Sequence, residues 1–375
     1  MNNKNLSIVQ VASGDLWAGA ETQLYTLCSA LKKIDKTKLN VILLNHGTLE
    51  RKLKEIDINV HVIDENKYNA ISIIIKLIKL FFHIKPEIVH THRIKENILA
   101  GIASLVIGAK SIRSVHGAQE HASGWSRPHK KLMHFTDWLI GRYIQTYIIS
   151  VSEDLAKTIE KSYPVSKVKI IENGIDYINL EKMTRDKSNL KNETPYKIGI
   201  IGRLVPVKRI DLFINIAISF HNLHPDIDSV FYIYGDGPLK EKLIDYYKNS
   251  NTNQKIIFCG HSNNIHKDIS NLDAILVTSD HEGLPMTVLE AMSIKTPLIC
   301  HSVGGITKAL DSGNNGILIN NQNPDEYANA IEYVFNNKEA TNTRLNNALN
   351  TIINNYSAET NAEKYFNIYK LALNI

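Results

Sequence analysis

The run Ala274-Ile-Leu-Val-Thr278-Ser-Asp-His-Glu282-Gly-Leu-Pro285-Met-Thr-Val-Leu-Glu290-Ala-Met292 decides the fold. Its first residues are a short unbroken apolar stretch, the pattern of a strand buried on both faces. A polar loop follows, and apolar residues then resume at helical spacing behind Pro285, which suits the first turn of a helix. The unit is therefore strand, loop, helix. Free backbone amides from Gly283 to Thr287 would point at an anion placed before that helix. Glu290 falls about a turn and a half inside the helix, on the side able to face back toward the loop. Glu282 reaches from the loop itself. The two carboxylates do not read as an acid and base pair with split pKa values. Sugar hydroxyls suit them better, since one carboxylate accepts two. An ordinary helix with solvated acids is the competing reading.

The same unit recurs on both sides of this stretch. In the second half, strands are expected at Lys197–Ile201, Ser229–Tyr234, Lys255–Cys259, Ala274–Thr278, Pro297–Cys300 and Gly316–Ile319. In the first half they are expected at Ser7–Ala12, Asn40–Leu44, Val60–Ile63, Ile88–His90, Ser111–Val115 and Tyr147–Val151. The helices between them include Glu21–Lys33, Ile71–Ile84, Glu96–Ile107 and Arg127–Arg142. Alternation of this kind builds parallel sheets with helices on both faces. Around Asn179–Thr194 the apolar periodicity stops. The expected architecture is α/β: two Rossmann-like, doubly wound domains, residues 1–178 and 196–355, joined by a linker at 179–195 and facing a cleft. A final helix, 356–375, would pack back toward the first domain. Ligands of such sheets bind outside the carboxyl ends of the strands.

Composition sets the outer limits. A chain of 375 residues with 43% hydrophobic and 22% charged residues is an ordinary globular protein. Cys28, Cys259 and Cys300 are far apart and form neither a disulfide framework nor a zinc motif, which fits a reducing cytoplasm. No segment reads as a signal peptide, and Ile71–Ile84 is too short and too charged to span a bilayer. The net charge of +5 is uneven. Residues 1–178 carry 24 Lys and Arg against 17 Asp and Glu, and the remainder 19 against 21. A basic first half favours an anionic partner such as a membrane surface, or is simply a solvated face. Nucleic acid is not expected, for want of a basic stripe interleaved with aromatics.

Further motifs fall at expected strand ends. Gly202-Arg203-Leu-Val-Pro-Val-Lys208-Arg209 offers a tight turn and two cations able to converge on one diphosphate, Arg as a planar fork and Lys as a point charge. A basic surface turn has the same spacing. Tyr234-Gly-Asp-Gly-Pro238, Gly260-His261 and Ser302-Val-Gly304-Gly305 are turns whose glycines permit close approach of backbone. No metal is expected: Asp226-Ile-Asp228 has the letters of a metal motif but lies in a loop away from the ligand layer.

The order of these motifs, with Glu282-Gly-Leu-Pro285 and Leu289-Glu290-Ala-Met292, resembles the retaining glycosyltransferases of the GT-B fold, family 4. The first half agrees through Gly14-Asp-Leu-Trp-Ala-Gly19-Ala-Glu21, Pro86-Glu-Ile-Val-His-Thr-His92, Val115-His116-Gly117, Val151-Ser152-Glu153 and Glu172-Asn-Gly-Ile-Asp176. The resemblance covers nearly the whole chain. It implies a glycosyl group moved from a nucleoside diphosphate sugar, UDP favoured, to a hydroxyl of a cell-surface glycan or lipid-linked saccharide. It implies no metal and no cofactor.

Residue by residue, it implies that Arg203 and Lys208, after Gly202, hold the diphosphate, with Gly19 closing near it. Glu290 would take the ribose. Glu282 and the backbone of Gly283, Leu284, Pro285 and Met286 would meet the sugar, with Gly260 and His261 in the same layer. His116 would contact the sugar near its anomeric carbon. His92, His121, Trp125 and Arg127 are acceptor-side candidates, the last three on a loop and basic helix that could touch an anionic membrane from the cytoplasm. The chain departs from the family where Ala18 precedes Gly19, where Arg209 replaces a usual Gly, and where Lys308 replaces a frequent acid. The alternatives are a non-catalytic GT-B subunit regulating a partner transferase, or a nucleotide-sugar epimerase on the same fold.

Overall fold

The computed structural model describes residues 5–15, 17, 19–117, 128–184 and 195–375, without the side chains of 128–130, 183 and 184. His121, Trp125 and Arg127, singled out above, lie outside the described residues. Chain contacts divide the protein into two compact units, Met1–Gly174 with Ala358–Ile375, and Ile175–Ser357.

The first unit runs β1 (Leu6–Ala12), α1 (Gly19–Lys33), β2 (Thr37–Leu43), α2 (Thr48–Glu55), β3 (Asn59–Val62), α3 (Ala70–Ile84), β4 (Ile88–Thr91), α4 (Ile94–Ile107), β5 (Lys110–Val115), α5 (Pro128–Tyr143), β6 (Gln145–Ser150), α6 (Glu153–Glu160) and β7 (Val168–Ile170). The second runs α7 (Tyr177–Thr184), β8 (Tyr196–Ile201), α8 (Ile210–Leu223), β9 (Ser229–Tyr234), α9 (Lys240–Asn249), β10 (Lys255–Gly260), α10 (Ile265–Asn271), β11 (Ala274–Val277), α11 (Met286–Ile294), β12 (Leu298–His301), α12 (Gly305–Ala309), β13 (Ile317–Ile319), α13 (Pro324–Asn336) and α14 (Lys338–Thr351). The last helix, α15 (Ala358–Leu373), belongs to the first unit.

Each unit is one parallel sheet. The strand orders are β3-β2-β1-β4-β5-β6-β7 and β10-β9-β8-β11-β12-β13. Alternate residues of a strand serve opposite faces. On β1, Ile8 joins Leu27, Leu31, Tyr365 and Tyr369 beneath α1 and α15, whereas Val9 and Val11 join Leu77, Phe81 and Leu99 beneath α3 and α4. The second unit repeats the scheme, with Phe213, Phe220 and Phe231 on one face and Leu289, Met292 and Ile294 on the other. Burial on both faces explains the unbroken apolar runs of these strands.

The chain order reverses between β1 and β4 in one sheet and between β8 and β11 in the other, the points where such sheets open a crevice. Two short elements escaped sequence reading. The three-residue β7 is too brief to show a period, and α2 buries only Leu49 and Leu53. The stretch read as linker also begins as a helix: α7 packs on α11 and buries Leu180.

Candidate functional site

In the second unit, the loops after β8 and β11 flank the reversal of strand order. Gly202 leaves β8 with φ 159°, and a single 3-10 turn, Pro206–Lys208, delivers Lys208 to the crevice. The Lys208 Nζ donates to Glu282 Oε1 at 2.5 Å, and the Ser279 hydroxyl donates to the same oxygen at 2.6 Å. Thr278 fixes the loop from below by donating to the Lys208 carbonyl at 2.9 Å. A cavity of about 20 Å³ lined by Lys208, Ser279, Glu282, Pro285 and Thr287 remains, room for about one water. Arg203 is exposed, and its guanidinium has no hydrogen bond or ion pair among the described residues.

Arg209 takes a left-handed conformation, φ 49°, where the family resemblance led to a glycine. Its guanidinium donates to Asp211 at 3.1–3.2 Å, to Asp280 at 3.2 Å and to Gln322. Gln322 in turn donates to Asp280 at 2.6 Å. Burial pushes the Asp280 carboxyl up, but the hydrogen bonds from Gln322 and Arg209 outweigh it and leave the group below its ordinary value. One side chain thus ties together the loops that follow β8, β11 and β13.

The glycines of the motifs serve these loops. A Cβ on Gly235 would sit 1.9 Å from the Gly202 carbonyl, and one on Gly237 would sit 2.5 Å from that of Leu204. Gly304, at φ 52°, lies against the Glu282 carbonyl, and the Gly305 amide donates to the Gly283 carbonyl at 2.7 Å. The sequence marks the Gly304-Gly305 pair as a place where backbone can approach closely. The backbone it admits is that of Glu282 and Gly283.

Pro285 stands at the N-cap of α11, one residue earlier than the sequence suggested, with φ −65°. Leu284 and Met286 are buried in the core, so only their backbone faces the crevice. Glu290 is 7% exposed, and its Oε1 lies 3.3 Å from Nε2 of His266 on α10. Sequence reading missed His266; its position one turn after the Gly260-His261 loop was the available signal. Gly260, at φ 71°, has open space around it, and His261 is exposed. Asp226 and Asp228 precede β9, at the amino ends of the parallel strands, whereas these loops leave the carboxyl ends. Among the described residues no group of three or more His, Cys, Asp or Glu is placed to hold a metal.

In the first unit, Gly19 is the exposed first residue of α1. The loop before it is tied across the reversal point by Arg93, whose guanidinium pairs with Glu21 and lies 3.6 Å from Asp15. His116 follows β5, and its Nε2 is 3.1 Å from Nδ1 of His92. Burial, then the charge of Arg93, lowers the His116 pKa to about 4. His92 is 4% exposed, and its second nitrogen bonds Gln10 at 2.8 Å. Both ring nitrogens of His92, expected on the acceptor side, are thus engaged inside the protein.

The sequence matches the family described as Glycosyltransferase Family 4 over residues 17–177, and that described as Glycosyl transferases group 1 over residues 181–351. The UDP-Gal:alpha-D-GlcNAc-diphosphoundecaprenol alpha-1,3-galactosyltransferase of Escherichia coli is 30% identical over 310 residues, covering 79% of this chain and 78% of that protein. The chain belongs to glycosyltransferase family 4. A second relative of this glycosyltransferase, the N-acetyl-alpha-D-glucosaminyl L-malate synthase of Bacillus anthracis, is 25% identical over 292 residues, covering 76% of this chain and 74% of that one. Anabaena HepE in complex with UDP-glucose shares the fold with a TM-score of 0.81 at 19% identity, covering 98% of this chain and 100% of that one. The family 4 glycosyltransferase therefore has the GT-B fold, built of two Rossmann-like parallel-sheet units.

Proposed function

We propose that this glycosyltransferase moves a sugar from a UDP-sugar to a hydroxyl of a lipid-linked or surface-glycan acceptor, with retention at the anomeric carbon and without a metal. What carries the reading is the crevice after β8 and β11, where Lys208 and Glu282 are held together, with Arg203 exposed on the same loop as Lys208. Of the proteins it resembles, the Escherichia coli galactosyltransferase is named for UDP-Gal and a diphosphoundecaprenol-linked GlcNAc, and HepE is solved with UDP-glucose.

In this reading the diphosphate takes Lys208 from Glu282 and meets Arg203. Each cation near 4 Å is worth about 4 kcal/mol at an effective dielectric of ~20, before desolvation. Their charge stabilises the leaving diphosphate as the glycosidic bond breaks, and the leaving phosphate accepts the acceptor hydroxyl's proton on the same face. Glu282, freed from Lys208, and the Gly283–Met286 backbone receive the sugar. Glu290, steadied by His266, receives the ribose, and Gly19 and His116 keep the roles the family implies. Catalysis is then positioning and electrostatic stabilisation.

A nucleotide-sugar donor puts the reaction in the cytoplasm. No described helix is long and apolar enough to cross a membrane. Helix α5 exposes Leu132, Phe135 and Tyr143, and the excess of basic residues lies in the same half of the chain. We read this face as a peripheral contact with anionic lipid, which co-sedimentation with anionic but not zwitterionic vesicles would reveal.

The deciding experiment is a panel of UDP-, GDP- and ADP-sugars with EDTA present, followed by thermal shift and nucleotide release. A shift with UDP-sugars and slow release despite EDTA is expected. Arg203→Ala should lower turnover about 10²–10³-fold with unchanged melting. Glu290→Ala should weaken UDP binding. Undisturbed binding and turnover in both variants would overturn the assignment.

A further inference from the structure

A continuous line of hydrogen bonds runs through the first unit from α15 to the end of β5. The Tyr365 hydroxyl lies 3.1 Å from Ser114 Oγ, which lies 2.9 Å from His90 Nε2. His90 Nδ1 is 2.8 Å from the Tyr369 hydroxyl, which accepts from Gln10 Nε2 at 3.0 Å. Gln10 Oε1 is 2.8 Å from His92 Nε2, and His92 Nδ1 is 3.1 Å from His116 Nε2. Every member except His116 is fully or almost fully buried.

The line has a direction. Hydroxyls and neutral imidazoles can bond either way round, but an amide has one donating end and one accepting end. Gln10 turns Oε1 to His92, so His92 Nε2 carries the proton. Burial, with His90, His116 and Arg93 beside it, holds the His92 pKa well below the ordinary histidine range. A neutral His92 has no second N–H, so Nδ1 is a lone pair and must accept from His116 Nε2–H. His116 is neutral too, and its Nδ1 is therefore bare. That nitrogen has no hydrogen-bond partner among the described residues. On the other side, Gln10 donates to Tyr369, Tyr369 to His90, His90 to Ser114, and Ser114 to Tyr365.

We propose that Tyr369 and Gln10 are positioning residues that lock His116 as its Nε2–H tautomer, so that Nδ1 accepts a hydrogen bond from a hydroxyl of the transferred sugar. The inference rests on the reading in which His116 meets that sugar. Tyr369 is the control point. Without its oxygen the Gln10 amide loses its partner at that end, and the half-turned form, which presents Nε2 to His92, becomes available beside the first. In that form the line is reversed, and His116 offers an N–H where it had offered a lone pair. The last helix of the chain thus sets the hydrogen-bonding sense of a residue on β5's exit loop.

The first test is the ¹⁵N–¹H spectrum of the histidine rings in the intact protein, where protonated and bare ring nitrogens are distinct. His92 and His116 should both carry the proton on Nε2. A proton on Nδ1 of His116 overturns the proposal, and this measurement needs no variant. Tyr369→Phe should mix the tautomers of His92 and His116 and lower kcat roughly tenfold, the size of one lost hydrogen bond, with little change in donor KM. A lowered melting temperature with native tautomers and native kcat would make Tyr369 merely structural. His116→Ala separates the two ideas. Undiminished turnover there overturns the sugar contact, whereas a reversed wild-type tautomer overturns the relay and leaves the contact standing.

Discussion

Arg209 shows what one residue changes at the candidate donor site. At φ 49° a glycine would be relaxed, yet the chain keeps an arginine whose contacts with Asp211, Asp280 and Gln322 offset the backbone strain. Because these contacts bridge three loops, Arg209→Gly should loosen the loops bearing Lys208 and Glu282. The expected outcome is a several-fold rise in donor KM with a smaller change in kcat, read from steady-state kinetics. Unchanged KM would mean that the ties do not position the site. The sequence marked Arg209 as a departure from the family but gave no hint of its use. Two of its three partners, Asp280 and Gln322, are 71 and 113 residues away, and only folding brings them within reach.

Among elements, the glycine loops and the packing of α5 carry distinct predictions. The Gly235 Cβ position lies 1.9 Å from the Gly202 carbonyl, and Gly235 itself has φ 138°. Gly235→Ala must push the β8 loop away, and should reduce nucleotide binding at least tenfold by calorimetry. In the first unit, Arg113 of β5 pairs with Asp137 of α5 at 2.7 Å, both almost fully buried, with the Tyr163 ring 4.8 Å from the guanidinium. Asp137→Asn would leave that buried cation uncompensated, a loss of about 3–5 kcal/mol measurable by urea unfolding. The strands were legible as apolar runs and the long helices as periodic ones. The short β7 and α2 were not, because so few residues define no period. Gly174 was legible as a motif residue, but its reason was not. A Cβ there would meet Asn361 of α15 at 2.4 Å.

At the scale of the whole molecule, buried titratable groups set the response to pH. Burial lowers His90 to about 3 and His116 to about 4, and also depresses His92. Their stabilisation is present above the ordinary histidine value and is lost as pH falls through these lowered ones. Burial raises Glu96 to about 7, and among the described residues no other residue hydrogen-bonds its carboxylate oxygens. That contribution is whole below the ordinary glutamate value and is lost as pH rises through about 7. The histidine shifts together exceed the single glutamate shift, so the melting temperature should fall between pH 7 and pH 5. Glu96→Gln, which removes the opposing contribution, should steepen the fall. A melting temperature flat across that range would contradict this assignment.

Apolar runs, loop glycines and the Glu282–Glu290 segment determined the fold class, the family and most of the residues at the candidate donor site. These depend on neighbours within one strand-loop-helix unit, where spacing along the chain is spacing in space. Tertiary structure alone decided which of those residues hold one another. Lys208 reaches Glu282 across 74 residues, His266 reaches Glu290 across 24, and Tyr369 reaches Gln10 across 359. Parallel sheets join strands distant in sequence, so their side-chain partners carry no local signature. The direction of the histidine line has the same origin: Gln10 acquires its sense only when α15 closes over the sheet that contains it.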